Sequence, residues 1–519
     1  MEAFHSASRY IICWTPPIDP TFLNIDATNH HSFPPQKHSD IDFFHINDII
    51  NTYYLFFYLL TKRGIFVNII VAGNGKVGST LTRQLSAEGY DLTLIDSNPK
   101  ILESTVELCD VMVYEGNAAS MSVLRHAGIK EADLLIAAAG ADEVNLLCCA
   151  TAHRMNPNLH TIARIRNPEY AEQIYSMREI FALSMIVNPE RQAAAEIARL
   201  LQFPGFLKRD SFAKGRIEIV ELKIEPNSKL CDVALSDLGN IIKCSVLVCM
   251  VARGSVAFVP DGQFILRAND RIFVTAPTNN LALLLKNIGI ITKRSDSVMI
   301  VGGGGISYYL AQQLEKTGIY VKIIEKDYER CRHLATLLPN IEIVHGDASH
   351  KATLESERID KFDSLVTATG MDEMNMMISL YGHTLGVPQI ITKISHVYSD
   401  EIIHNLPVGS VVCPTTLCTN SIVRYVRAMR NQTGAALSVH TIADGHAEAT
   451  EFSVDANTLH CGEPLKTLKT KKNVLIVSIT RAGRTEIPNG NSSFHRGDIV
   501  VIVSTGDTLI YQLNDIFDD

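Results

Sequence analysis

The sequence predicts an α/β fold in which two doubly wound parallel sheets each precede a small β-rich module. Three observations carry that expectation. A glycine-rich turn between an apolar strand and a helical pattern occurs at residues 68–79 and again at 298–308; an acidic residue, Asp96 or Glu325, ends the next strand in both copies; and a β-branched, turn-rich stretch closes each copy. Internal repetition is weighed first because it determines the architecture.

The first turn reads Asn68-Ile-Ile-Val-Ala-Gly73-Asn-Gly75-Lys-Val-Gly78-Ser79, and the second reads Val298-Met-Ile-Val-Gly302-Gly-Gly304-Gly-Ile-Ser307-Tyr308. Gly73 and Gly302 stand 229 residues apart, and so do Asp96 and Glu325. Further along, Gly116-Asn117-Ala118 matches Gly346-Asp347-Ala348, and Asp142-Glu143-x-Asn145 matches Asp372-Glu373-x-Asn375, both at 230. Val246, Arg253, Pro260, Gly262 and Asp270 recur as Val474, Arg481, Pro488, Gly490 and Asp498 at 228. The turn signals Pro260-Asp-Gly262 and Pro488-Asn-Gly490 between short β-branched runs mark these last segments as β-rich.

Each glycine of Gly73-x-Gly75-x-x-Gly78 has its own task. The first permits a tight strand-to-helix turn, the second lets backbone approach a pyrophosphate, and the third brings the helix close to the strand. A diphosphate then lies at the start of a helix beginning near Lys76, where free N–H groups and the helix dipole favour negative charge. Asp96, 23 residues after Gly73, accepts hydrogen bonds from ribose hydroxyls and repels a 2′-phosphate, which favours NAD over NADP. The expected first site comprises Gly73, Asn74, Gly75, Lys76, Val77, Gly78 and Asp96, joined by Asn117 after the third strand and Ala139 and Gly140 after the fourth. Arg164, ending the fifth strand, is expected to pair with a phosphate. The expected second site comprises Gly302, Gly303, Gly304, Gly305, Ile306, Glu325 and Asp347. Two departures set it apart. Ser307 replaces the third glycine and should crowd the helix, and Gly305 replaces Lys76 and brings no charge.

Two Rossmann-type doubly wound parallel sheets, each followed by a small β-rich α+β C-lobe, therefore divide the chain. Expected boundaries are an N-terminal extension at 1–66, N-lobes at 67–190 and 296–415, and C-lobes at 206–290 and 434–519. A chain of 519 residues is too long for one core, and 46% hydrophobic with 20% charged residues is ordinary for a folded globular protein. The extension lacks sustained periodicity and is expected to be poorly structured, and a further hypothesis is that it is not part of the functional protein. N-terminal mass analysis of natively expressed protein checks this, and an intact Met1 start would overturn it.

Several function classes are disfavoured. A net charge of −9 without a cluster of Lys and Arg argues against a nucleic-acid partner. Eleven cysteines without C-x-x-C spacing read as reduced thiols rather than disulfides or zinc ligands. The run Tyr53–Leu60 falls well short of the roughly 18 to 20 apolar residues of a membrane span. It also lacks the cleavage site of a secretory signal, so a soluble chain is expected, reaching a membrane only through a partner.

The residues Ile70-Val-Ala-Gly73-Asn-Gly75-Lys-Val-Gly78, Asp96, Asp142-Glu143-x-Asn145, Ile162-Ala-Arg164-Ile-Arg166-Asn-Pro168-Glu-Tyr170 and Met299-Ile-Val-Gly302-Gly-Gly304 carry a resemblance. From Val67 to Asp519 the chain resembles the NAD-binding peripheral subunits of Trk-type bacterial potassium uptake systems, members of the RCK (regulator of potassium conductance) group. The resemblance implies a regulatory subunit on the cytoplasmic face of a membrane potassium transporter, assembled as a homo-oligomeric ring, dimer or tetramer. NAD, NADH, ATP or ADP would change the ring's shape and gate the transporter. Lys393 and Ser395, where the first unit has Arg164 and Arg166, depart from the pattern. The rival readings are an NAD-dependent oxidoreductase and an RCK regulator of another transporter or antiporter. An oxidoreductase needs a substrate domain and a proton-transfer group at the nicotinamide. Here only β-rich modules follow the N-lobes, and His126, His153, His160, His345 and His383 have no counterparts in the other half. No catalytic residue and no metal ligand is therefore assigned.

Overall fold

The computed structural model describes residues 67–519 except 203–205, 213–215, 255, 290–294, 396–405, 431–435, 444–445, 506–507, 509, 511 and 519. The expectation about the extension at 1–66 lies outside the described residues.

The first sheet contains β1 (Asn68–Ala72), β2 (Asp91–Asp96), β3 (Met112–Glu115), β4 (Leu134–Ala137), β5 (His160–Arg164) and β6 (Met185–Val187). All its pairings are parallel, in the order β3-β2-β1-β4-β5-β6. Its helices are α1 (Lys76–Ala87), α2 (Pro99–Val106), α3 (Met121–His126), α4 (Asp142–Met155), α5 (Pro168–Gln173) and α6 (Pro189–Gln202). Continuous apolar runs such as Ile69–Ala72 and Leu134–Ala137 are buried throughout, as parallel strands covered on both faces must be. Leu81 and Leu85 of α1 cover one face; Leu124 of α3 and Cys148, Cys149 and Ala152 of α4 cover the other.

A five-stranded antiparallel sheet follows: β7 (Lys208–Phe212), β8 (Ile217–Lys223), β9 (Leu247–Arg253), β10 (Val256–Phe258) and β11 (Arg271–Pro277), with α7 (Leu238–Ile242) and α8 (Thr278–Ile288) packed on it. The second half repeats the plan. Its parallel sheet has β12 (Ser297–Val301), β13 (Tyr320–Glu325), β14 (Glu342–His345), β15 (Ser364–Thr367), β16 (Gln389–Lys393) and β17 (Ser410–Val412), ordered β14-β13-β12-β15-β16-β17. Its helices are α9 (Gly305–Glu315), α10 (Tyr328–Leu337), α11 (Lys351–Ser356), α12 (Asp372–Thr384) and α13 (Pro414–Arg430). The closing antiparallel sheet holds β18 (Ala436–Ile442), β19 (Ala447–Ser453), β20 (Val474–Arg481), β21 (Arg484–Glu486) and β22 (Ile499–Thr505). The fold class read from the repeat is the one observed.

The two halves are joined by an exchange. Helix α6, which follows the first sheet, places Ala193, Ala194, Ile197, Leu200 and Leu201 in the core of the second sheet, against Val298, Ile300 and Leu310. Reciprocally, α13 follows the second sheet and places Cys418, Ile422, Val423 and Val426 against Val71, Leu81 and Leu85 of the first. Both helices begin with a proline after a short edge strand, a start that suits the first helical turn. The expected lobe boundaries, 190 and 206 or 415 and 434, leave these helices between lobes; each instead completes the opposite one.

Polar contacts follow the same exchange. Asn188 Nδ2 donates to the Tyr309 hydroxyl at 3.1 Å, and Gln389 Nε2 to the Leu200 carbonyl at 2.8 Å. Arg427 of α13 forms a bidentate pair with Glu88, at the end of α1, and also reaches Glu448 of β19. The antiparallel sheets share a core in which Phe212, Ile219 and Phe273 meet Ala449, Val477 and Val503. At the edge of that core His440 Nδ1 lies 2.8 Å from Asp210, and Arg424 NH1 donates to its Nε2 at 3.1 Å. Arg424 has only donors to offer, so Nε2 accepts and Nδ1 carries the hydrogen that faces Asp210.

Ile422 is fully buried in the exchanged core. Ile422→Ala is expected to cost about 2–5 kcal/mol by deleting buried methyl groups and leaving a cavity. A chemical-denaturation series reads this as a lower midpoint of the transition that includes the first sheet; an unchanged midpoint would mean that α13 does not stabilise it.

Candidate functional site

The carboxyl ends of β1 to β5 gather the predicted residues of the first unit along one edge. Gly73 has φ +98°, and a Cβ there would lie 2.6 Å from the Ala139 backbone, so the turn after β1 touches the chain leaving β4. A Cβ on Gly78 would sit 1.9 Å from the Gly73 carbonyl oxygen, which is why α1 enters so close to its strand. At Gly75 the opposite holds: φ is −70° and no atom lies within 4 Å of a built Cβ. Lys76 beside it is exposed, whereas Val77 points into the core and offers only its backbone to this edge.

Asp96 is half-buried, and both its oxygens accept backbone hydrogens, Oδ2 from Asn74 at 2.6 Å and Oδ1 from Asn98 at 2.9 Å. The Asn74 side chain turns inward and donates to Thr105 Oγ1 at 2.6 Å, so it is part of the turn's support. Asn117 is exposed beyond β3, and its Oδ1 caps its own turn by accepting from Ala119 N at 3.0 Å.

Arg164 is placed differently from the phosphate-pairing role expected of it. It is buried, and its NH2 donates to the Ala139 carbonyl at 2.7 Å. Burial, and then the neighbouring Arg166, hold its pKa below the usual guanidinium value. Asn145 grips the same peptide, accepting from Ala139 N at 2.7 Å and donating to the carbonyls of Ala139 and Arg164. Asp142 Oδ2 accepts from the backbone nitrogens of Arg166 and Asn167, both at 2.8 Å. The Asp-Glu-x-Asn motif therefore clamps the turns after β4 and β5 together. Arg166, not Arg164, is the guanidinium at the surface, with NH2 on the Gly140 carbonyl at 2.6 Å.

The second unit builds the same edge with other side chains. Gly302 repeats the φ of +98°, and Gly304 repeats the open surroundings of Gly75. Glu325 Oε2 accepts from Gly303 N at 2.5 Å and Oε1 from Asp327 N at 2.8 Å, the bonds Asp96 makes. The longer acid fits because position 303 lacks a side chain: a Cβ there would meet Glu325 Cγ at 3.0 Å and Leu334 Cδ1 at 2.7 Å. Asn74 and Asp96 in one unit thus correspond to Gly303 and Glu325 in the other as a size-matched exchange. Asp347 caps its turn through Ser349 N at 2.9 Å, as Asn117 does, and that backbone N–H holds its carboxyl below the usual range. Lys393 donates to Thr369 O at 3.1 Å in the manner of Arg164, and Ser395 N meets Asp372 as Arg166 N meets Asp142.

One expectation about this unit is corrected, and the bare position 305 gains a reason. Ser307 does not disturb its helix; it is buried and its hydroxyl donates to the Gly302 carbonyl, so the turn holds a polar side chain by satisfying it. Gly305 is bare because Glu190 of the first unit occupies the space, its Cγ 3.2 Å from a built Cβ. Nor is the turn without charge: Arg330 of α10 donates through Nε to the Gly303 carbonyl at 2.7 Å.

These contacts open onto a cleft of about 370 Å³ between the two parallel sheets, where Gly140, Arg166, Tyr170 and Glu190 meet Gly305 and Arg330. Burial raises the Glu190 pKa, with its own backbone N–H and the Arg166 and Arg164 guanidinium groups opposing. Tyr170 donates to Glu143 at 2.9 Å. Arg166 was legible as the second arginine of Ile162-Ala-Arg164-Ile-Arg166; Glu190 and Arg330 were not, since each matters only where the two units meet. Among the described residues no cluster of three or more His, Cys, Asp or Glu is arranged to hold a metal ion.

The size-matched exchange is testable. Asp96→Glu should destabilise the first unit, and Asn74→Gly in the same chain should recover part of the loss, with a coupling of about 0.5–3 kcal/mol in a double-mutant cycle. Strictly additive losses would show that the two positions do not share space.

Comparison with known proteins agrees with the repeat. The sequence model of the TrkA-N domain matches residues 69–189 and 298–414, and that of the TrkA-C domain matches 219–289 and 449–516. The chain is 32% identical over 452 residues to the Trk system potassium uptake protein TrkA homolog of Archaeoglobus fulgidus, covering 87% of this chain and 100% of that one. It is 29% identical over 459 residues to the Trk system potassium uptake protein TrkA of Haemophilus influenzae, covering 87% and 98%. Among solved structures, the GsuK RCK domain matches with a TM-score of 0.56 at 16% identity, over 86% of this chain and 94% of that one. The GsuK channel bound to NAD matches with 0.55 at 16% identity, over 86% and 78%.

Proposed function

The chain belongs to the family of proteins built from tandem TrkA-N and TrkA-C domains, and from that membership we propose that it is a nucleotide-sensing regulatory subunit of a Trk-type potassium uptake system. The observation that carries the nucleotide reading is a set of four glycines, Gly75 with Gly304 and Gly140 with Gly370. They recur in both units, lie along the carboxyl edge, and are demanded neither by a positive φ nor by any atom within 4 Å. Packing does not explain them. A ligand that lies against bare backbone does, and the start of α1 or α9 is where its diphosphate finds free N–H groups.

Asp96 and Glu325 are positioned by backbone bonds and keep lone pairs for ribose hydroxyls, and their charge disfavours a 2′-phosphate. NAD and NADH are therefore the ligands proposed, with ATP and ADP sharing the adenosine and diphosphate that this edge addresses. Gly73 to Gly78, Asp96, Asn117, Ala139, Gly140 and Arg164 frame the first site; Gly302 to Ile306, Glu325 and Asp347 frame the second. Asn74, Val77, Ile306 and Arg164 act through backbone or support rather than through an exposed side chain.

In this reading the protein is not an enzyme: it sits at the cytoplasmic side of a membrane potassium transporter and responds to nucleotides as a homo-oligomeric ring. Among the described residues no helix is long and apolar enough to cross a membrane, and in this reading the transporter supplies the membrane span. Leu147 on α4 and Met377 on α12, 55% and 63% exposed, occupy equivalent positions of the repeat and offer matched apolar points for assembly. A nucleotide shifts the ring between two shapes only by binding one more tightly than the other.

Calorimetric titration with NAD, NADH, ATP and ADP should show binding, weakened about tenfold or more by Asp96→Ala as a charge-assisted ribose contact is lost. Protein recovered from solubilised membranes should carry a potassium transporter subunit. No nucleotide binding would defeat the sensor reading, recovery of an antiporter would favour the rival regulator, and turnover of an added hydroxy-acid substrate would favour the oxidoreductase.

A further inference from the structure

The cleft between the parallel sheets opens at Gly140, the far end of the edge that begins at Asp96. A nucleotide with its ribose on Asp96 and its diphosphate at the start of α1 directs its other end along this edge, past Gly140. That end would meet residues of both units, because Arg166 and Glu190 come from the first and Gly305 and Arg330 from the second.

We propose that Arg330, although carried by the second Rossmann unit, contacts a nucleotide bound to the first, and favours ligands that end in a phosphate over dinucleotides that end in nicotinamide. The inference rests on the nucleotide-site reading above and assigns a specificity residue within it.

Arg330 is suited to the task by how it is held. Its Nε is committed to the Gly303 carbonyl at 2.7 Å, which orients the guanidinium plane. Its two terminal nitrogens make no hydrogen bond among the described residues, and the side chain lines the cleft. A guanidinium presents paired N–H donors that match phosphate oxygens and carries a full charge; a carboxamide offers one neutral acceptor. Arg166 adds a second guanidinium to the lining, tethered at Gly140. Asp142, Glu143 and Glu190 line the same cleft, so a phosphate is recognised there by the N–H donors of Arg330 and not by a net positive lining. Burial raises the Glu190 pKa while its own backbone N–H and the Arg166 and Arg164 guanidinium groups oppose the shift, and its Oε2 is buried without a hydrogen-bond partner among the described residues.

The arrangement has no twin. The repeat counterpart of Arg330, at the same offset of 229, is Ile101 on α2. The second site thus receives no guanidinium from the matching position, and the two sites are expected to rank nucleotides differently.

Arg330→Ile is the decisive variant, because isoleucine already occupies the twin position on a helix of the same role. Titration of the full chain should show ATP and ADP binding weakened about tenfold and NAD binding changed by less than about twofold, with Arg330→Lys recovering part of the loss. In an Asp96→Ala background, where the first site is impaired, Arg330→Ile should add no further loss. Equal weakening of all three ligands would overturn the proposal, since Arg330 would then merely support the fold of the cleft. So would a loss that persists in full alongside Asp96→Ala, which would place its action at the second site, and so would unchanged ATP binding. Wild-type protein that binds none of the three would defeat the nucleotide-site reading itself, an outcome distinct from selective failure of Arg330→Ile.

Discussion

The exchange of α6 and α13 is the constraint on which the remaining structure depends. A parallel sheet must be covered on both faces, and here one face of each is finished by a helix that belongs in sequence to the other unit. Neither sheet can bury Val71 and Leu81, or Val298 and Leu310, without its counterpart, so the two units behave as one body. The geometry of the cleft follows directly. Glu190 opens α6 and is carried across to Gly305 by the helix that crosses.

The same exchange makes the halves unequal while keeping them similar. Backbone features survive duplication intact: the φ of +98° at Gly73 and Gly302, the carboxylates bonded to successive N–H groups, and the Asn145 and Asn375 clamps. Side chains at the contact diverge together, as Gly305 yields to Glu190 and Gly303 makes room for Glu325. Arg427 ties the end of α1 to α13 and β19 through Glu88 and Glu448, so the helix whose start is the candidate diphosphate site is anchored at its other end to the opposite half. Removing one partner of such a buried pair would leave the other charge buried and uncompensated.

Much of this was legible from spacing. The strand–glycine turn–helix pattern and the acid 23 residues on specify a parallel sheet, and the offsets of 228 to 230 show two such sheets with their antiparallel appendices. Less legible were roles that depend on direction. Arg164 ends its strand as expected, yet its guanidinium turns onto the Ala139 carbonyl and leaves the surface to Arg166. Asn74 stands within the turn, yet its side chain supports Thr105 beneath it. Ser307 looked like an obstacle in the linear pattern, and its hydroxyl is satisfied by the carbonyl that its Cβ would otherwise crowd.

The sequence by itself determined the local chemistry: where strands turn into helices, which glycines must be bare, and where a carboxylate ends a strand. These are set by neighbours a few residues apart, and periodicity reports them. Only the tertiary structure decided which helix covers which sheet, why position 305 carries no side chain, and that Arg330 joins a cleft begun by Gly140. Those outcomes depend on residues more than a hundred positions apart meeting across an interface, and no local pattern records which distant surface a buried helix face will find.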